Sequence, residues 1–239
     1  MGEYVPMNPL TRLPRERLER MDAAGAEIRE CYRVLQKVGA NVVGEILKGE
    51  STFYEWDHYP EGDVYDDDSH AQYYYHAHRP DPQEHGHFHT FIRRRGIPAE
   101  IRPAEAGGAA APGGEDSICH LIAISMDGRG YPTHLFTTNR WVTGETWYRA
   151  EDVIRLIDCF VIDHAHPSWP ANRWITAMLA LFRPQIEALL RERDACIERH
   201  RAEHPGADPF EDRELEITSM LAISVEAQIE QVQKALGRA

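Results

Sequence analysis

The sequence predicts an α+β fold, with a small antiparallel β-sheet in the middle of the chain flanked by N- and C-terminal α-helices. Three observations carry this. Apolar residues recur at spacings of three and four before Gly49 and again after Tyr148. Between Thr52 and Thr138 the chain turns to short β-branched and aromatic runs broken by Pro, Gly and Asp. Helices and strands fall in blocks, which argues against an alternating, doubly wound parallel sheet. At 239 residues the chain reads as one domain, helical over 15–48, β-rich over 52–138 and helical over 149–237.

After an arm ending near Pro14, the residues Leu18, Met21, Gly25, Ile28, Tyr32 and Leu35 form one face of an amphipathic helix, on which Gly25 admits a close partner helix. Gly39 and Gly49 end this helix and a shorter one over Ala40–Lys48. Four strands follow, Gln72–His78, His87–Arg94, Ile118–Met126 and Pro132–Thr138, with an earlier one around Phe53–Trp56. Pro103–Asp116 is small, proline- and glycine-rich, and reads as a loop or a long hairpin connection. In the third strand Ile118, Ile122 and Ile124 alternate with Leu121 and Ala123, so that strand is central and covered on both faces. Helices are expected over Arg149–Asp163, over Ala171–His204 with a kink or break at Pro184, and over Asp212–Leu236. The N-terminal stripe and the stripe from Ile217 to Leu236 are long for one small sheet to cover, which points to a homodimer through helices.

Charge and composition narrow the partners. The 39 acidic and 26 basic side chains leave a net charge of −13, which repels a phosphate backbone, and the one compact basic run is Arg93–Arg95, so no nucleic-acid partner is expected. The longest apolar run, Ile175–Phe182, is far short of the ~20 residues of a membrane span, so no membrane insertion is expected. The first residues lack the basic-then-apolar order of a secretory signal, and Cys31, Cys119, Cys159 and Cys196 show no paired spacing; a reducing cytoplasm is the expected setting.

Histidine is where the chain departs from average. His58, His70, His76, His78, His85, His87 and His89 fall within 32 residues, and Glu55–Glu84 holds nine acids against the single base Arg79, a local field that favours cations. In strands, His76 and His78 share a face, as do His85, His87 and His89. In an antiparallel pair, partner numbers sum to a constant. An odd sum such as 165, with His78 opposite His87 and His76 opposite His89, makes one imidazole face and leaves Tyr73, Tyr75 and Ala77 with Phe88, Thr90 and Ile92 on an apolar one. His120 and His134 on neighbouring strands, and Glu84, Asp81 or Asp163, are further candidates as ligands or as orienting partners. The competing structural reading is a solvated strand face or a buried Tyr/His/Asp network. His164 and His166 suit a helix C-terminus on dipole grounds alone, and His200 and His204 read as helix surface. Asp66–Asp68 reads as a solvated turn instead of a calcium loop, and Cys119 and His120 point to opposite faces, so they do not form a nucleophile–base pair.

The stretch YYYHAH followed by EHGHFHTF resembles the signature of an uncharacterised bacterial family of unknown function, over roughly Tyr59–Tyr148. That resemblance implies no chemistry. A looser similarity is to the cupins, small β-barrels that commonly hold a metal with H-x-H, a following Glu and a distant His; His76, His78, Glu84 and His134 stand in that order. The five residues between His78 and Glu84, the misplaced glycines and the small number of strands depart from the cupin pattern, so the likeness implies a site type only.

These residues lead to one functional expectation: a metal-dependent enzyme, an oxidoreductase with a mononuclear iron or copper ion held by three or four of His76, His78, His87 and His89, with His134, His120 and Glu84 as further ligand candidates. Zinc or manganese would suit the same donors. Tyr74, with Tyr73 and Tyr75, would supply protons or a radical site, and Arg140 beside Trp141 and Trp147 would clamp an anionic or aromatic small-molecule substrate, unless that segment is simply a turn with an aromatic staple. The alternatives are a non-catalytic metal- or haem-binding protein for storage or sensing, a zinc-dependent hydrolase, and an oligomeric helical scaffold.

Overall fold

The computed structural model describes residues 10–50, 52–78, 84–104 and 114–238. Helices α1 (Arg15–Gln36) and α2 (Val42–Ile46) precede strands β1 (Tyr59–Tyr65), β2 (Ala71–His76), β3 (Gly86–Arg93), β4 (Ile118–Met126) and β5 (Pro132–Thr138). Helices α3 (Arg140–Thr143), α4 (Ala150–Leu156), α5 (Trp169–Leu181) and α6 (Arg183–Glu203), strand β6 (Ile217–Ala222) and helix α7 (Val225–Ala235) complete the order. The strands form one sheet in the order β1-β2-β3-β4-β5-β6, each antiparallel to its neighbours. The protein is therefore α+β, with a central antiparallel sheet and helices contributed by both ends of the chain. Among the described residues β1 and β6 stand at opposite edges, so the sheet is an open meander and not the closed barrel of a cupin.

Two expectations are corrected. The first strand is Tyr59–Tyr65 and not Phe53–Trp56. Trp56 has a left-handed backbone with φ of 75°, and the Tyr54 amide donates to the Tyr59 hydroxyl at 2.7 Å, which turns this segment out of an extended course. The expected helix over Asp212–Leu236 is a strand followed by a helix. Ile217 and Leu221 satisfy a helical spacing, but the first half of the segment pairs with β5, where Leu135 meets Leu221 and Thr137 meets Ser219. That pairing occupies the β5 edge, and the Thr137 hydroxyl lies 2.8 Å from that of Thr218 and 2.6 Å from that of Ser219. Ser224 then caps α7 through the Ala227 amide. The break expected at Pro184 separates α5 from α6. Arg149–Asp163 is helical for a shorter span, with α4 running into a 3-10 turn over Ile157–Cys159. Residues 105–113 of the expected Pro103–Asp116 loop, and Asp81, lie outside the described residues.

One sheet face carries the apolar core. Tyr73, Tyr75, Phe88, Ile92, Ile122 and Ile124 are buried there under α5, where the Tyr73 hydroxyl donates to Asn172 Oδ1 at 2.6 Å and the Phe88 ring lies 5.6 Å from that of Trp174. Helix α6 covers β5 and β6, with the Ser219 hydroxyl donating to the Leu189 carbonyl at 2.9 Å. Helix α1 packs on α5 and α7, so the two apolar stripes that pointed to a dimer cover each other within one chain. The close approach expected at Gly25 is to α7: a Cβ there would lie 2.7 Å from Ile229 Cγ1. Gly25→Val is expected to destabilise the fold by about 1–3 kcal/mol, the range for overpacking a tight contact. Chemical denaturation checks this, and Ile229→Ala in the same chain should recover part of the loss.

Candidate metal centre

The opposite face of the sheet is built from the histidine block. Strands β2 and β3 pair with Tyr73 opposite Thr90, Tyr75 opposite Phe88 and His76 opposite His87, a partner sum of 163. The odd parity is as expected, but the register is two residues from the expected 165, so Tyr74 and not His76 faces His89. Side-chain alternation fixes parity because a one-residue slip would expose the apolar set, whereas a two-residue slip leaves both faces unchanged. Gly86 makes the observed register possible. A Cβ on it would lie 2.6 Å from the His76 carbonyl oxygen and 2.6 Å from the Tyr75 hydroxyl, so only glycine lets β3 start against the end of β2.

This register gathers His76, His87 and His89, all buried, with ligand nitrogens within 4.8 Å of one another. His76 Nε2 lies 2.9 Å from His87 Nε2. Two nitrogens each ~2.1 Å from one ion and about 90° apart would be separated by about 3 Å, so this pair already has the spacing of two ligands of a common metal. The far nitrogens are held from outside. His87 Nδ1 is 2.5 Å from Glu84 Oε1, and His89 Nδ1 is 3.0 Å from His120 Nε2. Such partners fix ring orientation and tautomer, leaving Nε2 as the nitrogen that each ring would present to an ion.

His120 reaches this face through a β-bulge. The β3–β4 register shifts between Thr90, opposite Ile122, and Phe91, opposite His120, so Leu121 is the extra residue. Without the bulge His120 would share the core face with Ile122 and Ile124; with it, His120 and Ile118 lie on the imidazole face and Cys119 on the core face. The expected grouping of Ile118 with Ile122 and Ile124 is corrected accordingly. Burial, together with the charges of Arg193 and His87, lowers the His120 pKa to about 3, so it is a neutral hydrogen-bonding partner.

Of the other sequence candidates, His78 follows the end of β2, its ring 5.0 Å from that of His76 and 5.1 Å from that of His87, stacked on Trp56. It lies beside the triad without joining it. Glu84 orients His87 and is not among the grouped ligand atoms. His134 shares the face, but Ser125 of β4 separates it from His87, and its Nδ1 lies 3.1 Å from the Thr133 hydroxyl. Tyr74 stands over the triad, 5.2 Å from the rings of both His76 and His89, with burial raising its hydroxyl pKa. Tyr73 and Tyr75 point to the core face. Arg140 is buried in ion pairs with Glu211 at 2.7 Å and Asp208 at 3.5 Å, which ties α3 to the 3-10 turn Pro209–Glu211; the Trp141 ring NH donates to the Leu215 carbonyl. The Asp163 amide donates to Asp66 Oδ2, and His164 Nε2 lies 3.1 Å from the Tyr65 carbonyl, placing both at the β1–β2 hairpin. Asp66 itself is buried, accepting amides from Asp68, Ser69 and Asp163, so it is not the solvated turn residue expected.

Residues 22–223 match the family described as a domain of unknown function, DUF6969. The chain belongs to this family. The matched span contains all six strands, the three grouped histidines, Glu84 and His120. No curated protein and no solved structure matches the chain. Among the described residues no helix is long and apolar enough to cross a membrane.

Three residues of the surroundings, His58, Asp63 and Glu145, were not among the sequence candidates. His58, whose place in the histidine block was the only signal, stacks on Tyr74 with ring centroids 3.6 Å apart, and its Nδ1 lies 3.1 Å from Asp63 Oδ1. Glu145, with no sequence signal of burial, is buried beside β4, where Oε2 accepts the His120 amide at 2.8 Å. Burial raises its pKa from 4.5 to about 7, against the opposing pull of Arg193 and that amide.

Gly86→Ala is expected to push β2 from β3 at the His76–His87 pair and to weaken metal uptake at least tenfold, measured by competition with a chelator of known affinity. Because Glu145 binds its proton more tightly folded than unfolded, its contribution falls as pH rises from about 4.5 to about 7, a loss on the order of 3 kcal/mol. Glu145→Gln keeps an acceptor for the His120 amide and should therefore gain stability relative to wild type as pH is raised from 5 to 8, read from unfolding midpoints across that range.

Proposed function

We propose that the protein is a metal-dependent enzyme whose mononuclear centre is held by His76, His87 and His89, and that it is an oxidoreductase using iron or copper on a small-molecule substrate. The observation that carries this reading is the convergence of three buried imidazoles from two strands, two of them steered from outside by Glu84 and His120. Three neutral nitrogens leave positions of an ion open to solvent or substrate, as catalysis needs. Simple storage would need no rigid sheet, no bulge and no glycine-dependent register to hold its ligands.

An ion here would supply Lewis acidity or electron transfer to a bound small molecule. The chain's own contribution is positional. The sheet fixes two ligands at metal spacing, Glu84 and His120 set the ring edges, and Phe136, 5.2 Å from the His87 ring, walls one side. Tyr74 supplies a protonated hydroxyl next to the triad, and burial keeps it protonated at neutral pH. The all-nitrogen donor set also suits zinc, which would make the centre hydrolytic.

Metal analysis of the purified chain, with reconstitution by iron(II), copper, zinc and manganese, tests the reading. About one equivalent per chain is expected, iron or copper giving a ligand-field or charge-transfer spectrum that changes under air. His76→Ala with His87→Ala should abolish uptake while the circular dichroism of the fold persists, since the apolar core lies on the other sheet face. Wild-type protein that takes up none of these metals would overturn it, and a zinc-only preference would move the function to hydrolysis.

A further inference from the structure

Beside the triad stands a second, differently built polar pair. His58 lies with its ring parallel to Tyr74, at an interplanar angle of 9°, and edge-to-face with His76 at 5.6 Å. Its side chain is 43% exposed, so it occupies the border between the buried histidines and solvent. Asp63 is held on His58 by a relay of hydrogen bonds. Asp63 Oδ2 accepts from Gln72 Nε2 at 2.5 Å, and Gln72 Oε1 accepts from Arg93 Nε at 2.6 Å.

The backbone that delivers Asp63 is irregular. The β1–β2 register shifts between Tyr59, opposite Tyr75, and Val64, opposite Tyr73, and within that bulge Gly62 has φ of 82° and Asp63 φ of 61°. Aspartate is one of the few non-glycine residues that adopt a left-handed conformation readily. Bulges concentrate where a strand must re-aim a side chain at a functional site. A plain surface Asp–His pair, worth at most ~1 kcal/mol, would not require the bulge or a buried glutamine behind it.

We propose that His58 and Asp63 form the substrate-side dyad of the three-histidine centre, in which the Asp63 carboxylate holds His58 as the Nδ1–H tautomer so that Nε2 accepts a hydrogen bond from an O–H or N–H group of the small molecule bound to the ion. This rests on the metal reading above and adds the substrate class: compact molecules that offer the metal an oxygen or nitrogen donor and carry a proton donor next to it. His58 is then a residue that touches substrate, and Asp63 is a positioning residue that acts through it.

The full chain loaded with cobalt(II) tests this, using acetohydroxamate as the probe whose N–H survives binding through oxygen, and acetate as the control that offers no donor. Binding is followed by the cobalt ligand-field spectrum. His58→Ala and Asp63→Asn are each expected to retain wild-type cobalt stoichiometry and to bind acetate within about twofold of wild type, while acetohydroxamate binding weakens about tenfold, the loss of one hydrogen bond. His58→Gln, which keeps an acceptor, should recover part of it. Nitrogen-15 spectra should show His58 as the Nδ1–H tautomer in wild type and a mixture in Asp63→Asn. Unchanged acetohydroxamate affinity in both variants, equal loss of both probes, or loss of cobalt from His58→Ala would overturn the dyad while leaving the metal centre standing. Failure of wild type to bind cobalt would overturn the metal reading and the dyad with it.

Discussion

The backbone contact between Gly86 and the end of β2 is the constraint on which the imidazole face depends. It lets β3 begin within van der Waals reach of the His76 carbonyl and the Tyr75 hydroxyl, and so permits the partner sum of 163 between β2 and β3. From that one register follow the 2.9 Å approach of His76 and His87, the place of His89 opposite Tyr74, and the tilted contact of the Tyr75 ring with Phe88 on the apolar side at 4.8 Å. A two-residue slip would keep every side chain on its proper face and still dismantle the group of three. Hydrophobic patterning alone cannot guard against such a slip.

Two bulges complete what the register begins. The one at Leu121 turns His120 onto the imidazole face to meet His89, and the one in β1 delivers Asp63 to His58. Each leaves one strand with unmatched residues and re-aims a polar side chain, so the polar surroundings of the three histidines come from irregularities in the strand pairing. Glu145 adds to this by accepting the His120 amide from beyond the edge of the β5 pairing, at the cost of a buried carboxylate whose pKa rises to about 7.

The two faces of the sheet divide the work of stability and function. The apolar face is clamped by α5 and α6, with α1 stacked on α5 and on α7 through the bare backbone at Gly25. The imidazole face carries little of that apolar packing and holds its geometry through hydrogen bonds among His, Glu, Asp and Gln. Changes to the ligand set therefore act on the site while the helices keep the sheet in place.

Much of this was legible in the sequence. The helical period of Leu18 to Leu35, the alternation of residues 72–78 and 118–126 and the density of histidine determined the α+β class, four of the six strands and the existence of one imidazole face, because these depend on local periodicity and on which side chains water excludes. Ile217–Ala222 was misread because Ile217 and Leu221 fit a helical spacing equally well, and only the open edge of β5 selected the strand. Tertiary structure alone decided which histidines meet. Strand register, the bulges that moved His120 and Asp63, and the burial of Glu145 depend on contacts between segments far apart in the chain, and a single-residue change of pairing reverses a side chain's face without changing any local pattern.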